Sequence, residues 1–349
     1  MIDYSNISIE KIAIHQVGNK LRDEGCILSK QIKTSLSPEE ERNFLNFFIP
    51  PFSKINEYYN FYHSSDLELN EIKKFSQEIF DSTSKFHKTS EKIAKLLYDY
   101  SVHPKVEAGE LYVVLFNKCF VEDNSIEVIG IFKSESKETF IKLNKLPDHY
   151  DYSFETGTGQ DNMNKGCLIY NTGNRGGYSV AIFDNSNKGD EAQYWRDNFL
   201  KLTPSVDEYH YTQNILTITK NYILTRMPDE YEVSKADKID YLNRSASYFK
   251  NNDGFNEKNF LKEVFNDNTV TKSFRNFSEE FAAENNLSLS SNFDISKASV
   301  KKQMRTFKSV IKLDKNFHIY IHGNRDLIEQ GYDTKTGKKF YKIYFDKET

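Results

Sequence analysis

The sequence predicts an α+β protein in three parts. These are an N-terminal mixed helix/antiparallel-sheet domain (1–188), a helical region (189–290), and a basic helix followed by a small antiparallel β module (291–349). Three observations carry this reading. Hydrophobic periodicity changes from helical to alternating near Leu111, returns to helical after residue 189, and alternates again after Thr306. Aromatic residues (27 Phe, 22 Tyr, 1 Trp) supply core-forming bulk in a polar chain of 349 residues whose mean hydropathy is −0.68. Charge is uneven: residues 297–349 hold 13 Lys+Arg against 6 Asp+Glu, while the other 296 residues hold 34 against 45.

The elements follow in order. Ile7 to Val17 reads as a first strand, with Ile7, Ile9, Ile12 and Ile14 apolar. Ser37-Pro38-Glu39-Glu40 starts a helix: Ser37 caps, Pro38 fits the first helical position, and Glu40 completes a capping box. That helix stops at Pro50-Pro51. Ser65-Asp66 is expected to open a second helix to about Ser82, and a third runs from about Ser90 to Tyr100. Leu111–Phe120, Ser125–Lys133 and Thr139–Leu143 read as an antiparallel meander. Gly166–Tyr170 and Tyr178–Phe183 flank a glycine-rich hairpin tip, residues 171–177.

In the middle region Asp190 starts a helix through Trp195 and Phe199, and Thr203-Pro204 starts a longer one reaching about Thr225. Asp237–Tyr248 and Asn256–Phe265 are shorter helices, and Ser273–Ser278 leads into Glu279–Asn285. Ser296–Thr306 reads as a basic helix. Phe307–Leu313, Phe317–His322, Leu327–Tyr332 and Phe340–Phe345 read as strands.

Several function classes are excluded at this level. No apolar run approaches the roughly 20 residues of a membrane span, and the first thirty residues lack a signal-peptide core. Three cysteines (Cys26, Cys119, Cys167) without CxxC spacing argue for a reduced compartment and against structural zinc. No metal ligand set and no cofactor fingerprint emerges. Gly157-Thr158-Gly159 is not followed by a strong helix, and Gly331 to Lys339 has the wrong glycine spacing for a phosphate loop. His318 and His322, four apart on a strand, lie about 13 Å from each other, too far for one zinc. Asp123 and Glu135 have nuclease residue types but flank opposite ends of one strand. No catalytic residue is assigned.

The order of segments resembles the bacterial nucleoid-associated proteins of the YejK/NdpA type. The resemblance rests on Ile9-Glu10-Lys11-Ile12-Ala13-Ile14-His15-Gln16, on Trp195 to Leu202 before Thr203-Pro204, on Ser273 to Glu284, and on Asn292 to Phe345. The chain also carries extra polar loops around 145–165. The resemblance implies cytosolic, nucleoid-located DNA association without an established catalytic activity, and supplies no catalytic residues.

The basic helix is the leading site. Lys297, Lys301, Arg305 and Lys308 recur at spacings of four, four and three, so they share a face, while Val300, Met304 and Phe307 pack inward. Lys302 and Lys312 widen the patch, and Arg175 at the hairpin tip is a further DNA-contact candidate. A solvated lysine face and an exposed turn arginine are the competing readings. Lysines contact phosphates without reading bases, so sequence-nonspecific DNA binding by a non-enzymatic protein is expected. The alternative is an adaptor whose acidic N-terminal domain docks a DNA-processing or phage-defence protein; a cryptic hydrolase ranks third. No membrane partner is expected, and homo-oligomerisation stays open.

Overall fold

Alternation along the long strand Gly109–Val121 decides the architecture of the N-terminal part. Leu111, Val113 and Leu115 enter one core, and Tyr112, Val114 and Phe116 enter another. The strand is therefore buried on both faces, as its nearly unbroken apolar run requires. It lies within a nine-stranded antiparallel sheet seen in the computed structural model, which describes all residues except 1, 122–123, 160–161, 173–177, 186–193, 308–309, 315, 321–326 and 348–349. Across the sheet the order is Leu202–Pro204, Tyr59–Phe61, Ser179–Asp184, Lys165–Tyr170, Asn124–Ser134, Gly109–Val121, Ser8–Val17 and Cys26–Ile27. Ile2–Asp3 also pairs with Gly109–Val121.

Helices Glu71–Asp81 and Phe86–Tyr100 cover one face, placing Ile72, Ile79, Ile93 and Leu97 against Val113, Ile131 and Ile169. Helix Pro38–Phe48 covers the other, where Phe48 stacks on Phe132 with ring centroids 4.4 Å apart. Gly130 makes that stack possible, because a β-carbon there would overlap the Phe132 ring. Two buried asparagines tie loops to this frame. Asn19 donates to the carbonyls of His103 and Val106, and Asn70 donates to those of Tyr62, Leu200 and Lys201. Each leaves no amide hydrogen stranded in the interior.

The chain groups into two compact units, 1–205 and 206–349. The second is a helical body with small hairpins. Helices Glu208–Asn221, Lys235–Asn251, Glu257–Val264 and Asn268–Glu284 enclose an aromatic core that includes Tyr222, Phe249, Phe255, Phe260 and Phe274. The basic helix, Lys297–Met304, adds Val300 to that same core, and Phe307 follows it inward. The hairpin strands Val310–Leu313 and Ile328–Asp333 contribute Ile311 and Ile328 to a small cluster with Ala236 and Ile239. The middle helices and the basic helix thus draw on one interior.

Four expectations need correction. Thr139–Leu143 does not extend the meander: Glu138–Lys145 pairs with Tyr150–Gly157 as a separate hairpin, and the expected polar loop supplies the second strand. Thr203-Pro204 does not start a helix. Leu202–Pro204 is an edge strand against Tyr59–Phe61, a place where proline's missing N–H costs nothing, and the helix starts later behind the Asp207 cap. That helix also does not stop at Thr225; a π-helical turn, Tyr222–Arg226, leads into Met227–Glu230, with Pro228 in its first turn. The second helix opens at Asn70, whose side chain caps Lys73 N, while Asp66 caps a short 3-10 turn instead. Trp195 and Phe199 lie in a π-helical stretch, Tyr194–Leu200, and the expected start at Asp190 lies outside the described residues.

Candidate nucleic-acid interface

The basic helix begins at a serine cap. Ser296 Oγ accepts from Ser299 N, and Lys297 to Met304 follow in helical conformation. Arg305 is the C-terminal cap residue. Val300 is buried and Met304 half-buried in the aromatic core, so the opposite face must look outward. Lys301, Lys302 and Arg305 are all exposed.

These cations are not equivalent. Lys297 Nζ lies 3.0 Å from Asp253 Oδ1 and donates to the carbonyl of Asn252 at 2.6 Å. It therefore sits at the C-terminal end of helix Lys235–Asn251, where a cation meets the negative pole of the helix. Lys302 Nζ stands 5.6 Å from the centre of the Tyr209 ring, a cation–π distance. Lys301 and Arg305 make no ion pair with an acid among the described residues. Lys312 lies in strand Val310–Leu313, whereas Lys308 and Arg175 lie outside the described residues.

A second surface, of mixed charge around an aromatic ring, was not singled out from the sequence. In the hairpin of Ile328–Asp333 with Lys338–Ile343, Lys338, Phe340 and Lys342 alternate and so share one face with their register partners Asp333, Gly331 and Glu329, and Lys342 Nζ lies 3.9 Å from Glu329 Oε2. Phe340 pairs with Gly331, and its ring lies over that glycine, where a β-carbon would overlap it. The ring is held flat on the sheet and still presents 45% of its surface. Lys342 Nζ is 4.7 Å from the centre of the Tyr344 ring. The signal in the sequence is the Lys-x-Phe-x-Lys repeat of period two, which a search for helical stripes passes over. Asp333 to Lys338 is a turn with Gly337 at φ +67°, closed by Gly337 N donating to Asp333 O.

Other chemically capable groups are committed to the interior. Lys133 and Lys165, neighbours on paired strands, are fully buried. Lys133 Nζ contacts Glu135 Oε1 and the Glu107 carbonyl, both at 2.8 Å. Lys165 Nζ lies 3.6 Å from Asp184 Oδ1 and 5.6 Å from the Tyr194 ring centre. Burial pushes the Lys133 ammonium below its usual range, with Glu135 opposing the shift. Glu135 is thus half of an internal ion network, and Asp123 lies outside the described residues. No three metal-ligating side chains come together among the described residues.

His15 is likewise internal. Its Nδ1 accepts from Ser29 N at 3.1 Å, and its Nε2 faces Ser90 Oγ at 3.0 Å. Ser90 Oγ donates its own proton to the His87 carbonyl, so Nε2 carries the shared hydrogen and the ring is neutral. Burial lowers its pKa to about 4, against a smaller upward pull from Glu91. His210 Nδ1 is 2.9 Å from Asp207 Oδ1 at the start of its helix. The three cysteines are free thiols; Cys119 and Cys167 are buried. No helix among the described residues is long and apolar enough to cross a membrane.

Comparison with known proteins agrees with the resemblance read from the segments. No curated protein matches the chain. The family model described as nucleoid-associated protein YejK matches residues 13–344, and so spans both compact units. The chain therefore belongs to the nucleoid-associated protein YejK family, and a nucleoid-associated role comes with that membership.

Proposed function

We propose that the chain binds DNA without catalysis, through phosphate contacts from the outward face of the basic helix and with little sequence preference. The observation that carries this reading is the free state of Lys301 and Arg305. They lie four residues apart on an anchored helix, are exposed, and have no acidic partner among the described residues. Lys302, Lys308 and Lys312 extend the patch along the chain, with Arg175 a separate candidate. The basic helix lies in the compact unit 206–349. That unit carries 23 Lys+Arg against 21 Asp+Glu, whereas residues 1–205 carry 24 against 30. Binding is therefore expected from the C-terminal unit despite the net charge of −4. Lys297, bound to Asp253, contributes by holding the helix in place.

The test is a salt-resolved gel shift or anisotropy titration on plasmid and random duplex DNA. Lys301→Glu with Arg305→Glu is expected to weaken binding at least tenfold and to reduce the salt slope by about two contacts' worth. Lys85→Glu with Lys88→Glu, a charge-matched control on exposed lysines of the acidic unit, is expected to change affinity little. A control as damaging as the helix variant reduces the stripe to bulk charge. A wild type that gives no shift, or a footprint at one sequence that persists at high salt, overturns the reading.

A further inference from the structure

The hairpin formed by Glu138–Lys145 and Tyr150–Gly157 stands apart from the main sheet, and its two faces differ sharply. Register partners Ile141–Phe154, Leu143–Tyr152 and Lys145–Tyr150 lie on one face, because directly opposed residues project the same way. Phe140–Glu155, Lys142–Ser153 and Asn144–Asp151 lie on the other, where Lys142 bridges Glu155 at 3.0 Å. Ile141, Leu143, Tyr150, Tyr152 and Phe154 are 59–65% exposed. A two-stranded ribbon is marginal in water unless its apolar face is covered. The described residues of its own unit do not cover this one.

We propose that this face is covered by the same face of a second copy of the chain, making a two-fold dimer through paired hairpins. The strand acids Glu138, Asp151 and Glu155 all lie on the polar face, so the apolar face meets no carboxylate of its own ribbon and carries one charge, Lys145, at its end. Area favours the second copy. Three aromatic rings at about 150–250 Å² each, mostly exposed, with Ile141 and Leu143, come to roughly 500 Å² of apolar surface per copy. Two such faces bury about 1,000 Å², the lower bound for a specific interface, which fits a weak dimer. Symmetry supplies the rest: an isologous contact sets the same patch against itself, and an apolar face bounded by Thr139 and Thr156 at one end and Lys145 at the other meets its copy through the central Ile141, Leu143, Tyr152 and Phe154. The interface is separate from the basic helix, so its test does not depend on DNA binding.

The experiment is light scattering or sedimentation of the full chain up to about 100 µM, a concentration that populates a micromolar dimer. Twice the 40.8 kDa chain mass is expected. Leu143→Lys with Phe154→Lys should give a monomer with unchanged circular dichroism and melting temperature. Because that variant could loosen the hairpin itself, a second measurement uses single cysteines. Tyr152→Cys, on the apolar face, should form an inter-chain disulfide on mild oxidation, and Ser153→Cys, on the polar face, should not. A monomeric wild type at the highest concentration overturns the proposal. So does a dimer in which both cysteines cross-link equally or which survives the double lysine variant.

Discussion

The two compact units solve the burial problem with different materials. Residues 1–205 bury a sheet whose strands send alternate residues to opposite cores, and β-branched side chains dominate one of them: Val113, Ile129, Ile131, Ile169 and Val180. Residues 206–349 bury rings between short helices, with Phe249 and Phe255 stacked at 5.7 Å and Phe255 and Phe293 at 4.7 Å. In the sheet every side chain is placed by register, since a slip of one residue would exchange the two cores. In the helical unit placement comes from capped helix starts and from rings that can tilt against one another. The first arrangement tolerates little change in shape, and the second leaves its outer helix faces free to carry charge.

The comparison is broken most severely by truncating one ring in each core. Phe132 stacks on Phe48, lies beside Phe52 and Phe116, and fills space over Gly130 and Gly166. Phe132→Ala therefore leaves a cavity walled by sheet backbone that cannot collapse, and a loss near 5 kcal/mol is expected. Phe249→Ala removes a ring surrounded by Tyr248, Phe255 and Phe260, which can shift into the space. Its loss should fall near 3 kcal/mol. Urea unfolding followed by amide exchange within each unit checks both, and equal losses would mean that the aromatic core is as rigid as the sheet.

Ion pairs give the next contrast. Lys133→Ala strips Glu135 of its 2.8 Å partner and leaves a mostly buried carboxylate with Lys165 at 4.0 Å. A cost of about 3 to 4 kcal/mol is expected, because breaking one side of a buried pair strands the other charge. Lys297→Ala breaks a pair whose side chains are 53% and 99% exposed, so its cost should stay below about 1 kcal/mol. Denaturant melts of the two variants against wild type measure the difference.

Acid should act on the sheet unit through His15. Its folded pKa is about 4, below the unfolded value near 6.5, so the folded state favours the neutral ring. Above pH 6.5 both states are neutral and the full stability is present. Between about pH 6.5 and 4 the unfolded state takes up a proton that the folded state refuses, and stability falls with pH. The total loss is about 3 kcal/mol by pH 4. In His15→Leu this slope should disappear. A variant as pH-sensitive as wild type across that window would place the acid-sensitive group elsewhere.

How much was legible follows from the same contrast. The Ser37 capping box, the strand from Ser8 to Val17 and the long strand starting at Gly109 are local patterns, and the structure keeps them. The partner of Thr139–Leu143 was not legible, since alternation reports a strand but not what it pairs with. The amphipathic hairpin was hidden for that reason, its return strand being read as polar loop. Thr203-Pro204 looked like a helix start because proline suits both a first helical turn and an edge strand. At the candidate interface, spacing placed Val300 and Phe307 inward, as the structure has them. It gave no means of separating Lys297 from Lys301, because Asp253 is 44 residues away in sequence. The buried Lys133 and Lys165 read as ordinary surface lysines until paired strands set them side by side.

The smallest predicted difference between the units comes from removing everything but helix ends. Each unit has one complete capping box among its described helices: Ser37 with Glu40, and Ser234 with Asp237. In both, the serine oxygen accepts from the third helical N–H and the acid accepts from the serine N–H. The chemistry is matched while the cores differ. Ser37→Ala and Ser234→Ala should each cost about 1 kcal/mol, the ordinary worth of a serine cap. A modest excess is expected at Ser234, whose hydroxyl also donates to Asp237 at 2.7 Å in a part-buried setting, whereas the Ser37 bonds are exposed. Matched losses in denaturant melts would locate the difference between the units in their interiors. A loss at Ser37 several times that at Ser234 would show instead that the sheet unit amplifies small defects at its edges, because its helix Pro38–Phe48 holds Phe48 in register over Phe132.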